Sequence, residues 1–149
     1  FGTGVALIGV HDVDGHAVGL TINSFASVSL QPALLSWCLA KDSQLFAPIT
    51  DADRFSVNIL AADQTELSNR MAMPGEHLFQ ADEWTASASG GIFVNGALAQ
   101  FDCRLHQTIE AGDHVVFLGA IEEAWACDQA RDPLVYFRGG YRQLLGDGA

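Results

Sequence analysis

Residues 19–35 read GLTINSFASVSLQPALL. Ile22, Phe25, Val28 and Leu30 are the apolar side chains of a folded strand or its flanks. Thr21, Asn23, Ser24, Ser27 and Ser29 crowd the same run with uncharged hydrogen-bonding groups. A core strand needs no such cluster, and a surface loop needs no such apolar residues. The segments on either side show what the run belongs to.

Upstream, VALIGVH (5–11) and HAVGLTI (16–22) flank DVDG (12–15), two strand-like runs about an Asp/Gly turn, so a β-hairpin is expected. Downstream, PALLSWCLA (32–40) reads as a buried strand with Pro32 confined to its start. DSQLFAPITDAD (42–53) offers a short helix that Pro48 shortens or kinks. RFSVNIL (54–60) alternates at period two, with Phe55, Val57 and Ile59 on one face, and DQTELSNRMA (63–72) gives a second short helix.

The stretch 73–96 is the least regular, with Ile92–Val94 as a short strand. ALAQFDCRLHQTI (97–109) and HVVFLGAIEEAWA (114–126), joined by the turn EAGD, exceed the usual strand length and predict bent or strongly twisted strands. PLVYFRGGYRQL (133–144) is a strand interrupted by two glycines. Many strands, two short helices and hairpin signals predict a mainly β barrel or sandwich with helices closing its ends.

The 149 residues suit one domain over 1–149; 49% are hydrophobic and 17% charged, which excludes a disordered chain. The chain starts at Phe1, so natural N-terminal residues are expected ahead of it. No secretory signal is visible, and runs such as GVALIGV are too short to span a bilayer. Cys38, Cys103 and Cys127 form neither a CxxC pair nor an even-numbered framework; reduced, partly buried thiols and a cytoplasmic location are expected. Seven Lys and Arg against eighteen Asp and Glu give a net charge of -11, which disfavours nucleic acid and anionic membrane as partners. A small phosphate ligand remains compatible. The scarcity of cations draws attention to Lys41, Arg54, Arg138 and Arg142.

His11, His16, His77, His106 and His114 lie at no HxH, HExxH or facial-triad spacing, so no metal site is expected. Glu122 and Glu123 are consecutive strand residues facing opposite sides and form no paired-carboxylate unit. GxSxG, Walker and GxGxxG patterns are absent. Two donor-rich places remain besides the first stretch. AKDS (40–43) combines a lysine and a hydroxyl with a helix start, which favours an anion. YFRGGYR (136–142) offers two glycines, where backbone can approach a ligand, and two tyrosine faces. Each also has an ordinary structural reading: a solvated lysine, and a turn or bulge.

Together these blocks resemble the flavin reductase-like, FMN-binding split-barrel family, the small reductases that supply two-component monooxygenases. The resemblance rests on GLTINSFASVSLQPALL, LAKDS, FSVNILAADQ, FDCRLHQTIEAGDHVVFLGAIE and PLVYFRGGYRQL, and covers nearly the whole chain. It implies a Greek-key split β-barrel with short flanking helices. It also implies an NAD(P)H:flavin oxidoreductase that reduces FMN or FAD with NADH or NADPH and passes reduced flavin to a separate oxygenase. A flavin-binding carrier or sensor without reductase turnover is the alternative. The family further implies a homodimer with flavin near the subunit interface.

Carried over residue by residue, the resemblance places Thr21, Asn23, Ser24 and Ser27 on the flavin. It brings the backbone at Leu39 and Ala40 to the isoalloxazine ring, Lys41 and Ser43 toward the ribityl phosphate, and Asn58 near the same pocket. His114 would serve the nicotinamide nucleotide as the catalytic position; a strand-start histidine bonding its own turn is the plainer reading. Arg138, Gly139, Gly140 and Tyr141 would meet the same nucleotide. Gln31 stands where the family commonly has an acid, and NRMAMPGEHLF departs from its more aromatic helix end.

Overall fold

The computed structural model describes residues 1–144. Its elements, in order, are β1 (Thr3–Gly4), β2 (Ala6–His11), β3 (Ala17–Ile22), β4 (Ala26–Leu30), β5 (Ala33–Ala40), α1 (Phe46–Thr50), β6 (Arg54–Ile59), a 3-10 turn (Ala62–Gln64), α2 (Thr65–Ala72), β7 (Trp84–Ala86), β8 (Ile92–Val94), β9 (Ala99–Ala111), β10 (His114–Ala126), β11 (Val135–Phe137) and β12 (Gly140–Arg142). The mainly β class agrees with the expectation.

Seven strands form one antiparallel sheet in the order β3-β2-β6-β9-β10-β5-β4, beside a three-stranded sheet, β1-β11-β12, and the pair β7-β8. The large sheet does not close on itself by pairing β3 with β4. The free side of β3 is covered instead by residues 77–79: Gly19 N–H donates to the His77 carbonyl at 2.8 Å, and Val18 bridges Leu78.

The β2–β3 hairpin turns where DVDG predicts it. Asp12 Oδ1 accepts the N–H groups of Asp14 and His16, both at 2.9 Å, and Gly15 takes a φ of 82°. Asp12, Asp14 and His16 therefore gather on the surface as parts of a turn. The long strands bend as expected, through register shifts between Leu118 and Gly119 and between Ile121 and Glu123. At the first shift a Cβ on Gly119 would lie 2.5 Å from Phe55 Cζ, so no side chain fits there.

Residue alternation along β2 divides the core. Ile8 joins Trp37, Phe55, Val57 and Phe117 on one face of the sheet, and Leu7 joins Leu60, Met71, Ile92 and Val94 on the other. Trp37 stacks on Phe117 at 4.7 Å and meets Phe55 edge-on at 5.5 Å. Fully burying one such side chain contributes about 1.5–3 kcal/mol. Cys103 lies within the first cluster, and burial pushes its thiol up to about 12.

Two elements differ from the sequence reading. The run after Ile22 holds a strand of its own, β4, the outermost strand of the large sheet, which pairs only with β5. Ile22 is buried and Phe25 stacks on Phe101, but Val28 and Leu30 are exposed, so only the first pair anchors the run. The C-terminal strand is a tight hairpin rather than one interrupted strand. Its two turn residues are Arg138 (φ 52°) and Gly139 (φ 75°), while Gly140 already belongs to β12. Positive φ at both central positions is the type I′ pattern, whose twist matches paired strands.

Candidate functional site

Three adjoining hollows run along the end of β3. The first, about 560 Å³, is lined by Thr3, Val5, Asn23, Ser24 and Phe25 among others. The second, about 220 Å³, shares Val5 and Asn23 with the first and adds Thr21, Tyr136 and Tyr141. The third, about 420 Å³, shares Thr21 and Ala72 with the second and adds Leu39, Ala40, Ser43 and Met71. Among the described residues no Lys or Arg lines any of the three, and Asp42 is their one carboxylate. Apart from Asp42, the lining is hydroxyl-rich, and it is aromatic at its middle.

The hydroxyls of Thr21 and Ser24 are held by backbone. Thr21 Oγ1 donates to the Ser68 carbonyl of α2 at 2.7 Å. Ser24 Oγ accepts the Cys38 N–H at 2.9 Å and faces the Cys38 carbonyl at 3.4 Å, extending the β4–β5 ladder one step past Ala26. Each oxygen keeps lone-pair capacity for a further partner. Asn23 is exposed at the junction of the first two hollows, and its amide has no protein partner among the described residues. Ser27 lies on β4, exposed and outside all three hollows.

A large cofactor with carbonyl, nitrogen and hydroxyl edges fits this donor set. A further sign is Thr3 Oγ1, a buried hydroxyl in the wall of the first hollow without a hydrogen-bond partner among the described residues.

Of the residues expected from sequence, Thr21, Asn23, Ser24, Leu39, Ala40, Ser43 and Tyr141 come together along this trough. His114 stands beside it: its Cα partner on β5 is Ala40, and its Nδ1 lies 2.8 Å from Asp113 Oδ1. That contact holds the Asp113 carboxyl below its ordinary value of 3.8. Lys41 sends its backbone N–H to the Asp113 carbonyl at 2.9 Å and its ammonium to the Glu110 carboxylate. Lys41, Arg138, Gly139 and Gly140 do not line the trough; the last three form the tip of the β11–β12 hairpin whose next residue is Tyr141.

Asn58 is placed elsewhere. It is fully buried, donating to the carbonyls of Leu7 (3.3 Å) and Ile92 (3.1 Å) and accepting from Val94 N–H (2.8 Å). It ties β8 to the main sheet, away from the hollows. Tyr136, the other tyrosine of YFRGGYR, lines the second hollow, whereas the sequence reading passes over Ser68. Ser68 sits three and four residues before Met71 and Ala72, a spacing that puts a polar residue on the apolar stripe of α2.

A separate charge network lies away from the trough, around a cavity that shares no lining residue with it. The fully buried carboxylate of Asp102 accepts from Ser87 Oγ (2.5 Å), Ser89 Oγ (2.7 Å) and Arg54 Nη2 (3.2 Å). Arg54 Nη1 also reaches Glu122 at 2.6 Å, and Arg104 Nε reaches it at 2.8 Å. These two guanidinium groups hold the Glu122 carboxyl below its ordinary 4.5. Glu123 has its own partner, the Ala88 N–H at 3.0 Å. The cavity there, about 100 Å³, is small and surrounded by its own structural partners.

Residues 1–145 match the family described as "Flavin reductase like domain". The reductase component of the flavin-dependent trigonelline monooxygenase of Acinetobacter baylyi is 40% identical, over 95% of this chain and 45% of that protein. The FMN reductase (NADH) SmoA of Agrobacterium fabrum is 36% identical, over 95% of this chain and 79% of that protein. The solved NADH:FAD oxidoreductase SgcE6 of Streptomyces globisporus, in complex with NAD and FAD fragments, superposes with a TM-score of 0.91 at 31% identity. It covers all of this chain and 89% of that one. The chain spans 45% to 60% of the length of the first three curated relatives it matches.

Proposed function

The chain belongs to the flavin reductase-like family, and on that premise we propose that it is an NAD(P)H:flavin oxidoreductase reducing FMN or FAD for a separate monooxygenase component. The observation that carries the reading is the trough itself: seven of the expected residues gather along it, with neutral donors and tyrosines in its walls. When bound, the flavin supplies the chemistry by taking a hydride from reduced nicotinamide. The chain's residues bind, orient and set distance; a base or nucleophile is not required of them.

In this reading Thr21, Asn23 and Ser24 offer hydrogen bonds to the flavin, with Ser27 beside them at the edge strand. The Leu39–Ala40 backbone and Ser43 support the ring and its chain, and Lys41 takes the phosphate. His114, Arg138, Gly139 and Gly140 serve the nicotinamide nucleotide, and Tyr141, which lines the trough, stands where that nucleotide meets the flavin. Asn58 supports the sheet beneath and does not touch the ligand.

A homodimer is part of the proposal. On the sheet face opposite Trp37 and Phe117, Leu34, Cys38, Val116, Leu118 and Ile109 are partly or fully exposed and uncharged. A second copy seated there would lie beside Ser24 and Ala40, which brings the flavin near the subunit interface. No described helix is long and apolar enough to cross a membrane. The three cysteines are free, which supports work in the reducing cytoplasm.

The test is oxidation of NADH and NADPH by the purified protein with added FMN, FAD or riboflavin. Turnover above the nonenzymatic rate is expected with at least one pair. Flavin binding without turnover overturns the reductase reading in favour of a carrier or sensor.

A further inference from the structure

Ser68 is a serine buried inside a helix, with no part in the roles assigned above. It is fully buried on α2, at a position where alanine is the better helix former. A mid-helix serine commonly turns its hydroxyl back to the carbonyl four residues earlier. Ser68 does otherwise: its Oγ lies 2.7 Å from the hydroxyl of Tyr141, 73 residues along the chain. Its carbonyl meanwhile accepts the 2.7 Å bond from Thr21 Oγ1. One buried residue thus ties together β3 and β12, which face each other across the 220 Å³ hollow. The Tyr141 ring is also held from the side by Tyr136, at 5.8 Å between centroids and 69° between planes.

We propose that Ser68 is a positioning residue, which fixes Tyr141 in advance as the wall on which the ring system of a bound flavin packs. The proposal rests on the flavin reading of the trough. A tyrosine held only by its backbone samples several χ1 rotamers, and a ligand that needs one of them must order it on binding. The Ser68 bond removes that cost beforehand, and the Thr21 bond on the same residue keeps the opposite wall in step.

The experiment measures riboflavin, the ring and ribityl chain without phosphate, by quenching of its fluorescence at a temperature where every variant is folded. The proteins are the unaltered chain, Ser68→Ala, Tyr141→Phe and the double variant. Each single change is expected to raise the riboflavin Kd about fivefold, the equivalent of one neutral hydrogen bond. The double variant should lose no more than either single, because one bond is lost only once. The visible circular dichroism of the bound ring should change alike in all three variants, a signature that loss of general stability would not produce. Tyr141→Phe sits on a partly exposed strand and keeps its ring, so the reading survives if Ser68→Ala fails to fold.

Wild-type affinity in both single variants, or losses that multiply to about 25-fold, overturns the proposal. Riboflavin binding by the unaltered chain without nucleotide oxidation overturns the reductase reading alone. Absence of riboflavin binding by the unaltered chain overturns both.

Discussion

His114 and Ala40 stand directly opposite one another on the paired strands β10 and β5, so the histidine begins its strand where Ala40 ends the other. Nδ1 is taken by Asp113, which leaves Nε2 for a ligand approaching over Ala40. His114→Ala should raise the KM for nicotinamide nucleotide about tenfold while changing flavin Kd less than about twofold, the pattern of a lost charge-assisted or neutral hydrogen bond to one ligand only. Steady-state kinetics beside flavin titration checks it. A flavin affinity that falls first reverses the assignment.

Lys41 offers a phosphate test. Its ammonium is paired with Glu110, and both groups are largely exposed, so that pair is worth less than about 1 kcal/mol and exchanges readily for a phosphate. Lys41→Ala should weaken FMN about threefold to tenfold more than riboflavin, measured by parallel titrations, and the difference should shrink at high salt. Equal losses for both flavins remove Lys41 from the phosphate.

Asn58→Ala should separate support from binding. Removing the buried amide leaves the Val94 N–H and two carbonyl contacts without their side-chain partner, at a cost of about 1–3 kcal/mol. Denaturant unfolding should register that loss, while the folded variant keeps the wild-type riboflavin Kd.

Acid should weaken the fold through Glu122. Its folded pKa lies below the ordinary 4.5 because Arg104 and Arg54 bond the charged form. A depressed carboxyl contributes stability that is present above the unfolded value and disappears as pH falls through the folded one. Urea midpoints should therefore drop from about pH 4.5 downward, and Glu122→Gln should flatten that slope relative to the unaltered chain. Identical slopes would assign the acid limb to other carboxyls.

The parts legible in the sequence were those whose periodicity reports a buried face. β2, β3, β6 and β10 have an alternating or continuously apolar pattern because neighbours cover them, and the pattern located each. β4 escaped because an outermost strand has little buried face to record; of Ala26–Leu30 only Ser29 is even partly buried. The hydroxyls of residues 21–24 announced a polar task. Spacing could not say that two of them also tie backbone, Ser24 to Cys38 and Thr21 to Ser68. Asn58 misled for the opposite reason. A buried amide serving backbone and one serving a ligand look the same in sequence, and only the positions of Leu7, Ile92 and Val94 separate them.

The pairing of β1 with β11, Thr3 opposite Tyr136, sets the order of assembly during synthesis. A chain emerging from the ribosome can close the β2–β3 hairpin early. Its first strand must then wait for more than 130 further residues before finding a partner. Tyr136 and Tyr141 arrive on that same late hairpin, so the ligand trough is finished last. A nascent chain stalled before residue 135 would hold the sequence of all seven strands of the large sheet and none of the trough's tyrosine wall.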